Sequence, residues 1–168
     1  MEFDFSSMDS ASEYDTPDAQ CVGLKVVDFV AEDNNSLFFI EVKNYVNSSN
    51  DMLIQASMDK RQNTDYLMLT DPTAAFPLEM GMKFKDSLLR WFATGRSFTK
   101  PIALLLVVNP PKSFQARDRE RLVRKINGYI PSGMNNKTDK YPKITSMFFD
   151  MPTVNEVQER YGFSVSVI

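Results

Sequence analysis

Histidine is absent from the chain, and cysteine occurs once, at Cys21. The first absence removes Ser-His and Cys-His nucleophilic catalysis and any metal centre built on imidazole. The second excludes an internal disulfide and a cysteine-based zinc cluster. Neither GxxxxGK[ST] nor GxGxxG occurs, so no glycine-rich nucleotide cradle is encoded. Long apolar runs are missing as well. Ile102–Val108 falls far short of the roughly 20 residues a membrane-spanning helix needs. The opening MEFDFSSMDS lacks the basic-then-apolar pattern of a secretory leader. These absences together point to a cytoplasmic protein with no membrane partner. Acid–base chemistry is left to carboxylates, lysine and tyrosine.

Positive charge is missing from the first twenty residues, which carry Glu2, Asp4, Asp9, Glu13, Asp15 and Asp18. The middle of the chain is basic, with Lys83, Lys85, Arg90, Arg96, Lys100, Lys112, Arg117, Arg119, Arg121, Arg124 and Lys125. Such asymmetry permits one basic face on a molecule of net charge −3. Solvated helix surface accounts for the Arg117–Lys125 run equally well.

What is present centres on Lys25–Tyr45, KVVDFVAEDNNSLFFIEVKNY. Two apolar arms, Lys25–Ala31 and Leu37–Lys43, flank a turn-forming cluster, as in a β-hairpin. A two-residue Asn34-Asn35 turn sets the register, because Asn tolerates positive φ. Asp33 then faces Ser36, Phe29 faces Ile40, and Asp28 faces Glu41. Residues two apart share a strand face, so Lys43 joins that pair. Opposed carboxylates destabilise a sheet, and unpaired buried charge is costly. A divalent cation between Asp28 and Glu41 removes both penalties. Mg²⁺ takes such oxygen ligands, usually one or two carboxylates with waters, and the Val42 carbonyl offers a third. An exposed Glu41–Lys43 ion pair worth under about 1 kcal/mol is the plainer alternative.

Asp28, followed after a short turn by Glu41-Val42-Lys43, resembles the signature of the PD-(D/E)xK nuclease superfamily, whose fold is restriction-endonuclease-like. Val27 stands where that family often has proline. The resemblance implies that Asp28 and Glu41 bind Mg²⁺ or Mn²⁺ and that Lys43 orients or activates the attacking water. It implies a nucleic-acid substrate, DNA or RNA. Cutting both strands of a duplex would favour a two-fold homodimer. A helix before the first strand sometimes supplies another acid in this family. Here the position falls to Glu13, which a solvated terminal acid explains as well.

The rest of the chain supplies the expected frame. Ser10–Tyr14 suggests a short helix, and Asp51–Met58 another. Asp71-Pro72 starts a long helix through Thr94, with Met80, Phe84, Leu88 and Trp91 as its apolar stripe. Pro77 is expected to kink or reset its start. Lys83 and Lys85 lie off that stripe, where they would reach a phosphate backbone or face water. Ile102–Val108 reads as a central strand covered on both faces. A helix over Phe114–Tyr129, a polar loop at Ser132–Lys140, a strand at Lys143–Met151, a helix at Thr153–Tyr161 and a strand at Phe163–Ile168 follow. The expectation is an α/β fold, a restriction-endonuclease-like mixed central sheet flanked by helices with extra C-terminal elements. An acidic segment over residues 1–20 precedes a single domain over residues 21–168. The competing function is a non-catalytic binding or assembly module on the same fold.

Overall fold

The computed structural model describes residues 2–18, 23–45, 72–130 and 146–166. In chain order these hold β1 (Glu2–Asp4), β2 (Ser10–Glu13), β3 (Phe29–Glu32), β4 (Leu37–Asn44), α1 (Pro72–Ala93), β5 (Ile102–Asn109), α2 (Ala116–Asn127), β6 (Met147–Asp150), α3 (Val157–Tyr161) and β7 (Ser164–Ser166). Cys21, the Asp51–Met58 helix and the Ser132–Lys140 loop lie outside the described residues, as does the start of the strand expected at Lys143.

The hairpin forms in the register that its turn dictates. The Asp33 N–H donates to the Ser36 carbonyl at 3.1 Å. Asp33 Oδ1 accepts from the Asn35 and Ser36 N–H groups at 2.8 and 2.6 Å, an Asx turn that fixes the loop locally. Lys100 Nζ donates to the Asp33 carbonyl and pairs with Glu32, both at 2.6 Å. Phe29 consequently faces Ile40, and Glu32 faces Leu37.

The main sheet has the order β2-β3-β4-β5-β6. Its first three strands are antiparallel, and β4, β5 and β6 run parallel. The fold is thus α/β, with a mixed five-stranded sheet flanked by helices. The first seven residues of β5 are all buried, as a central strand covered on both faces requires. Phe39, Leu104 and Leu106 pack on one face against Phe84, Leu88 and Trp91 of α1 and Leu122 and Ile126 of α2. Phe38, Ile40, Leu105 and Val107 face the other way, toward Val157 and Phe163. Fully burying one such side chain contributes about 1.5–3 kcal/mol, so the two layers hold the sheet from both sides.

Helix α1 runs from Pro72 through Ala93 without a break at Pro77. In the second turn, proline forfeits only one hydrogen bond to the helix start. Gly95, at φ 77°, follows its end.

Ser10–Tyr14 departs from expectation. Ser10–Glu13 is a strand along the edge of β3, with Ser10 opposite Glu32 and Glu13 opposite Phe29. The sequence SASE has no apolar face to hold a helix, and the β3 edge offers it a ladder instead. The acidic N-terminal stretch also supplies β1, which pairs with β7. There Phe3 and Phe5 pack on Phe29, and Phe5 on Phe163.

Close approach between α1 and the end of α2 depends on Gly81. A Cβ there would collide with the Tyr129 Cβ and lie 3.3 Å from the Tyr129 carbonyl oxygen. In an exposed helix, Gly→Ala stabilises by roughly 1 kcal/mol. At this contact, overpacking typically costs about 1–3 kcal/mol, and the obstructing atoms are not a flexible tip. Gly81→Ala is expected to lower the urea midpoint. A raised midpoint would show that the two elements separate freely.

Candidate functional site

Strand β4 carries its chemistry at its C-terminal end. Side chains alternate along a strand, so Leu37, Phe39, Glu41 and Lys43 share the face covered by α1. The first two join the apolar core there. Glu41 continues the row but is charged, and it is 0% exposed.

Its partners are two lysines. Lys43 Nζ lies 2.7 Å from Glu41 Oε1. Lys83 Nζ, from α1, reaches Oε1 at 2.8 Å and Oε2 at 2.9 Å. Burial is the largest influence on the Glu41 carboxyl and pushes its pKa up, and the Asp28 charge adds to this. Lys43 and Lys83 pull the other way, and the balance lies above the ordinary carboxylate value. Burial works against the Lys43 ammonium, but Glu41 outweighs it, and the Lys43 pKa stands above its usual value. Burial also pushes the nearby Tyr45 phenol up to about 12, further above physiological pH than its ordinary value. A buried, perturbed carboxylate held by specific charge partners is a functional-site signal.

Asp28 enters through a break in the ladder. The Leu37 and Tyr45 N–H groups donate to the Pro101 and Asn109 carbonyls, so odd-numbered β4 residues bond toward β5 and even-numbered ones toward β3. The β3–β4 ladder runs to Phe29 opposite Ile40. One step on, Val27 would exchange hydrogen bonds with Val42. Instead the Val42 N–H donates to Asp28 Oδ2 at 2.8 Å. The Val27 N–H turns to Ser87 Oγ at 2.9 Å, and that hydroxyl donates to the Lys83 carbonyl at 2.7 Å. Backbone N–H and C=O of one residue point to the same neighbouring strand. The Val42 carbonyl therefore faces the splayed side where Asp28 stands.

The structure thus brings together Asp28, Glu41, Val42, Lys43 and Lys83. Lys83, expected to reach a phosphate backbone or face water, bonds Glu41. Lys85 is exposed, and two residues along a helix from Lys83 it does not share that lysine's side. Glu13 is exposed and faces Phe29 across the β2–β3 ladder. Phe29 packs on the opposite sheet face, so Glu13 is not brought to the carboxylates. Ser87 escaped sequence reasoning, since a serine within an apolar helix stripe gives no signal of its own.

The chain matches no protein-family model, no curated protein and no solved structure.

Its site must therefore be judged by its own chemistry. Among the described residues, no group of three or more His, Cys, Asp or Glu side chains gathers to hold a metal. Two carboxylates and a carbonyl at a strand break are nonetheless all-oxygen donors. They suit a hard cation that keeps several of its waters. Soft or imidazole-seeking metals find no ligand among them. Much of the basic surface is engaged elsewhere. Arg90 bonds Tyr14 and Thr16, Arg119 pairs with Glu156, and Arg160 pairs with Asp150. No helix among the described residues is long and apolar enough to cross a membrane.

Proposed function

We propose that this chain is a metal-dependent phosphodiesterase of the PD-(D/E)xK nuclease type, with a restriction-endonuclease-like arrangement and DNA or RNA as substrate. The observation that carries the reading is the ladder break at Val42. It sets Asp28 beside a strand whose next inward side chains are the buried Glu41 and the partly exposed Lys43. Asp28, Glu41 and the Val42 carbonyl would hold Mg²⁺ or Mn²⁺. Such an ion would supply an acidified water and offset negative charge developing on the phosphoryl oxygens. Lys43 contributes an ammonium on the carboxylate face, where it orients the attacking water or steadies a phosphoryl oxygen. The neutral Tyr45 phenol beside it adds no competing anion. A duplex substrate would call for a two-fold homodimer.

One observation favours a second reading, a non-catalytic module of the same fold. Both Glu41 oxygens already accept from ammonium groups, so the network is balanced as it stands and would serve as an internal pin.

Metal-linked stability separates the two. A ligand that binds only the folded state stabilises it by mass action, by about 2.7 kcal/mol at a hundredfold excess over Kd. Mn²⁺ is expected to raise the melting temperature of the wild type and to leave Asp28→Asn unmoved. Asparagine keeps a carbonyl oxygen for the Val42 N–H while removing the charge. Equal shifts in both proteins would take the cation away from this site.

A further inference from the structure

The geometry points to Lys83 as a displaceable cation: it holds the metal-binding face of Glu41 until a divalent ion arrives, then swings away to meet the phosphodiester. The inference rests on the phosphodiesterase reading above. Its starting point is the bidentate contact, with Lys83 Nζ at 2.8 and 2.9 Å from the two Glu41 oxygens. A Mg²⁺ ligated by the same carboxylate would stand about 2.1 Å from oxygen. An ammonium bridging both oxygens competes with the metal ion for the same lone pairs.

Charge balance gives the same answer. Asp28 and Glu41 carry two negative charges, and Lys43 and Lys83 offset them. Adding a divalent ion with both lysines in place would leave two excess positive charges around a carboxylate that is 0% exposed. Unbalanced buried charge is costly. If one lysine leaves, the excess is a single positive charge, which matches the single negative charge of a phosphodiester.

Position decides which lysine moves. Lys43 is tethered on the same strand, two residues from Glu41, and touches one oxygen. Lys83 reaches across from α1 and covers both oxygens. Its side chain is 13% exposed against 27% for Lys43, so its bidentate hold on the carboxylate, not its exposure, marks it as the ion the metal must displace. Exposed Met82 precedes it on the helix, so the stem lies at the rim of the α1 interface. Glu79 lies one turn before it, and such i,i+4 carboxylate–lysine pairs form readily on a helix. The ammonium therefore has a nearby partner when it leaves Glu41.

The test uses the full chain without nucleic acid. Mn²⁺ binding is measured by calorimetry on wild type and Lys83→Met, which keeps the length and bulk of the stem. The variant no longer has an ion pair to break, so its affinity is expected to rise about tenfold or more. In parallel, lysine acylation of the wild type is mapped by mass spectrometry with and without Mg²⁺. Lys83 is expected to label several-fold faster with Mg²⁺, while Lys100, paired with Glu32, stays constant. Equal Mn²⁺ affinity in the two proteins, or Lys83 labelling indifferent to saturating Mg²⁺, overturns the displacement and leaves the metal site standing. Failure of both proteins to bind Mn²⁺ overturns the metal site itself, and the displacement with it. If Lys83→Met does not fold, the wild-type labelling decides alone.

Discussion

Lys43→Ala is expected to lower metal-dependent phosphodiester cleavage by about 10²–10⁴-fold, the range for a positioned group acting on proton transfer. Mn²⁺ binding should survive the change or tighten. The partition follows from chemistry: an ammonium has no lone pair for a metal, so its loss spares the ligands and damages the chemical step. Lys43 Nζ lies 2.7 Å from Glu41 Oε1, close enough to share a ligand's environment without replacing it. Glu41→Gln should behave differently and lose both metal and activity, because the neutral amide offers one carbonyl oxygen and no negative charge. The assay incubates wild type and both variants with labelled single- and double-stranded DNA and RNA, in Mn²⁺ or in chelator. Equal cleavage by wild type and Lys43→Ala would remove Lys43 from the reaction. Mn²⁺ binding without cleavage of any substrate would favour the binding module.

Half of this site was legible in the sequence, because it is written in local rules. The Asn34-Asn35 turn, with Asp33 Oδ1 accepting from the Asn35 and Ser36 N–H groups, pins the hairpin register. A period of two then places Glu41 and Lys43 on one face. Asp71-Pro72 announced a helix that does begin at Pro72. The other half depends on contacts between distant segments. Lys83 meets Glu41 across 42 residues of sequence, through packing of α1 on β4 that no helical spacing reveals. The ladder break needs Ser87 to draw off the Val27 N–H across 60 residues. Ser10–Glu13 misled for a related reason. Its four residues carry no periodic signal, and only the exposed edge of β3 makes them a strand.

Lys83→Met alone is expected to destabilise the metal-free protein by roughly 3 kcal/mol, the low end for breaking a buried pair, since Lys43 still reaches one Glu41 oxygen. The combined variant Glu41→Leu, Lys43→Met, Lys83→Met should behave in the opposite way. Replacing a whole buried ion-pair network by apolar residues of similar volume is often neutral, or stabilising by about 1–4 kcal/mol. The site suits such an exchange. Glu41 lies opposite buried Leu106 in the β4–β5 register, and Phe39 precedes it on the same face. A leucine at position 41 would extend that apolar row, and the Asp28–Glu41 repulsion would vanish. Urea unfolding in chelator measures both variants, on a total stability that for a domain of this size is about 5–15 kcal/mol. A triple variant as stable as wild type or more so, yet unable to bind Mn²⁺, would mean that the charges are kept at a cost in stability. Charges kept on those terms serve chemistry. A loss of several kcal/mol in the triple variant would instead make the network a pin between α1 and β4, and the non-catalytic reading would then stand ahead of the phosphodiesterase.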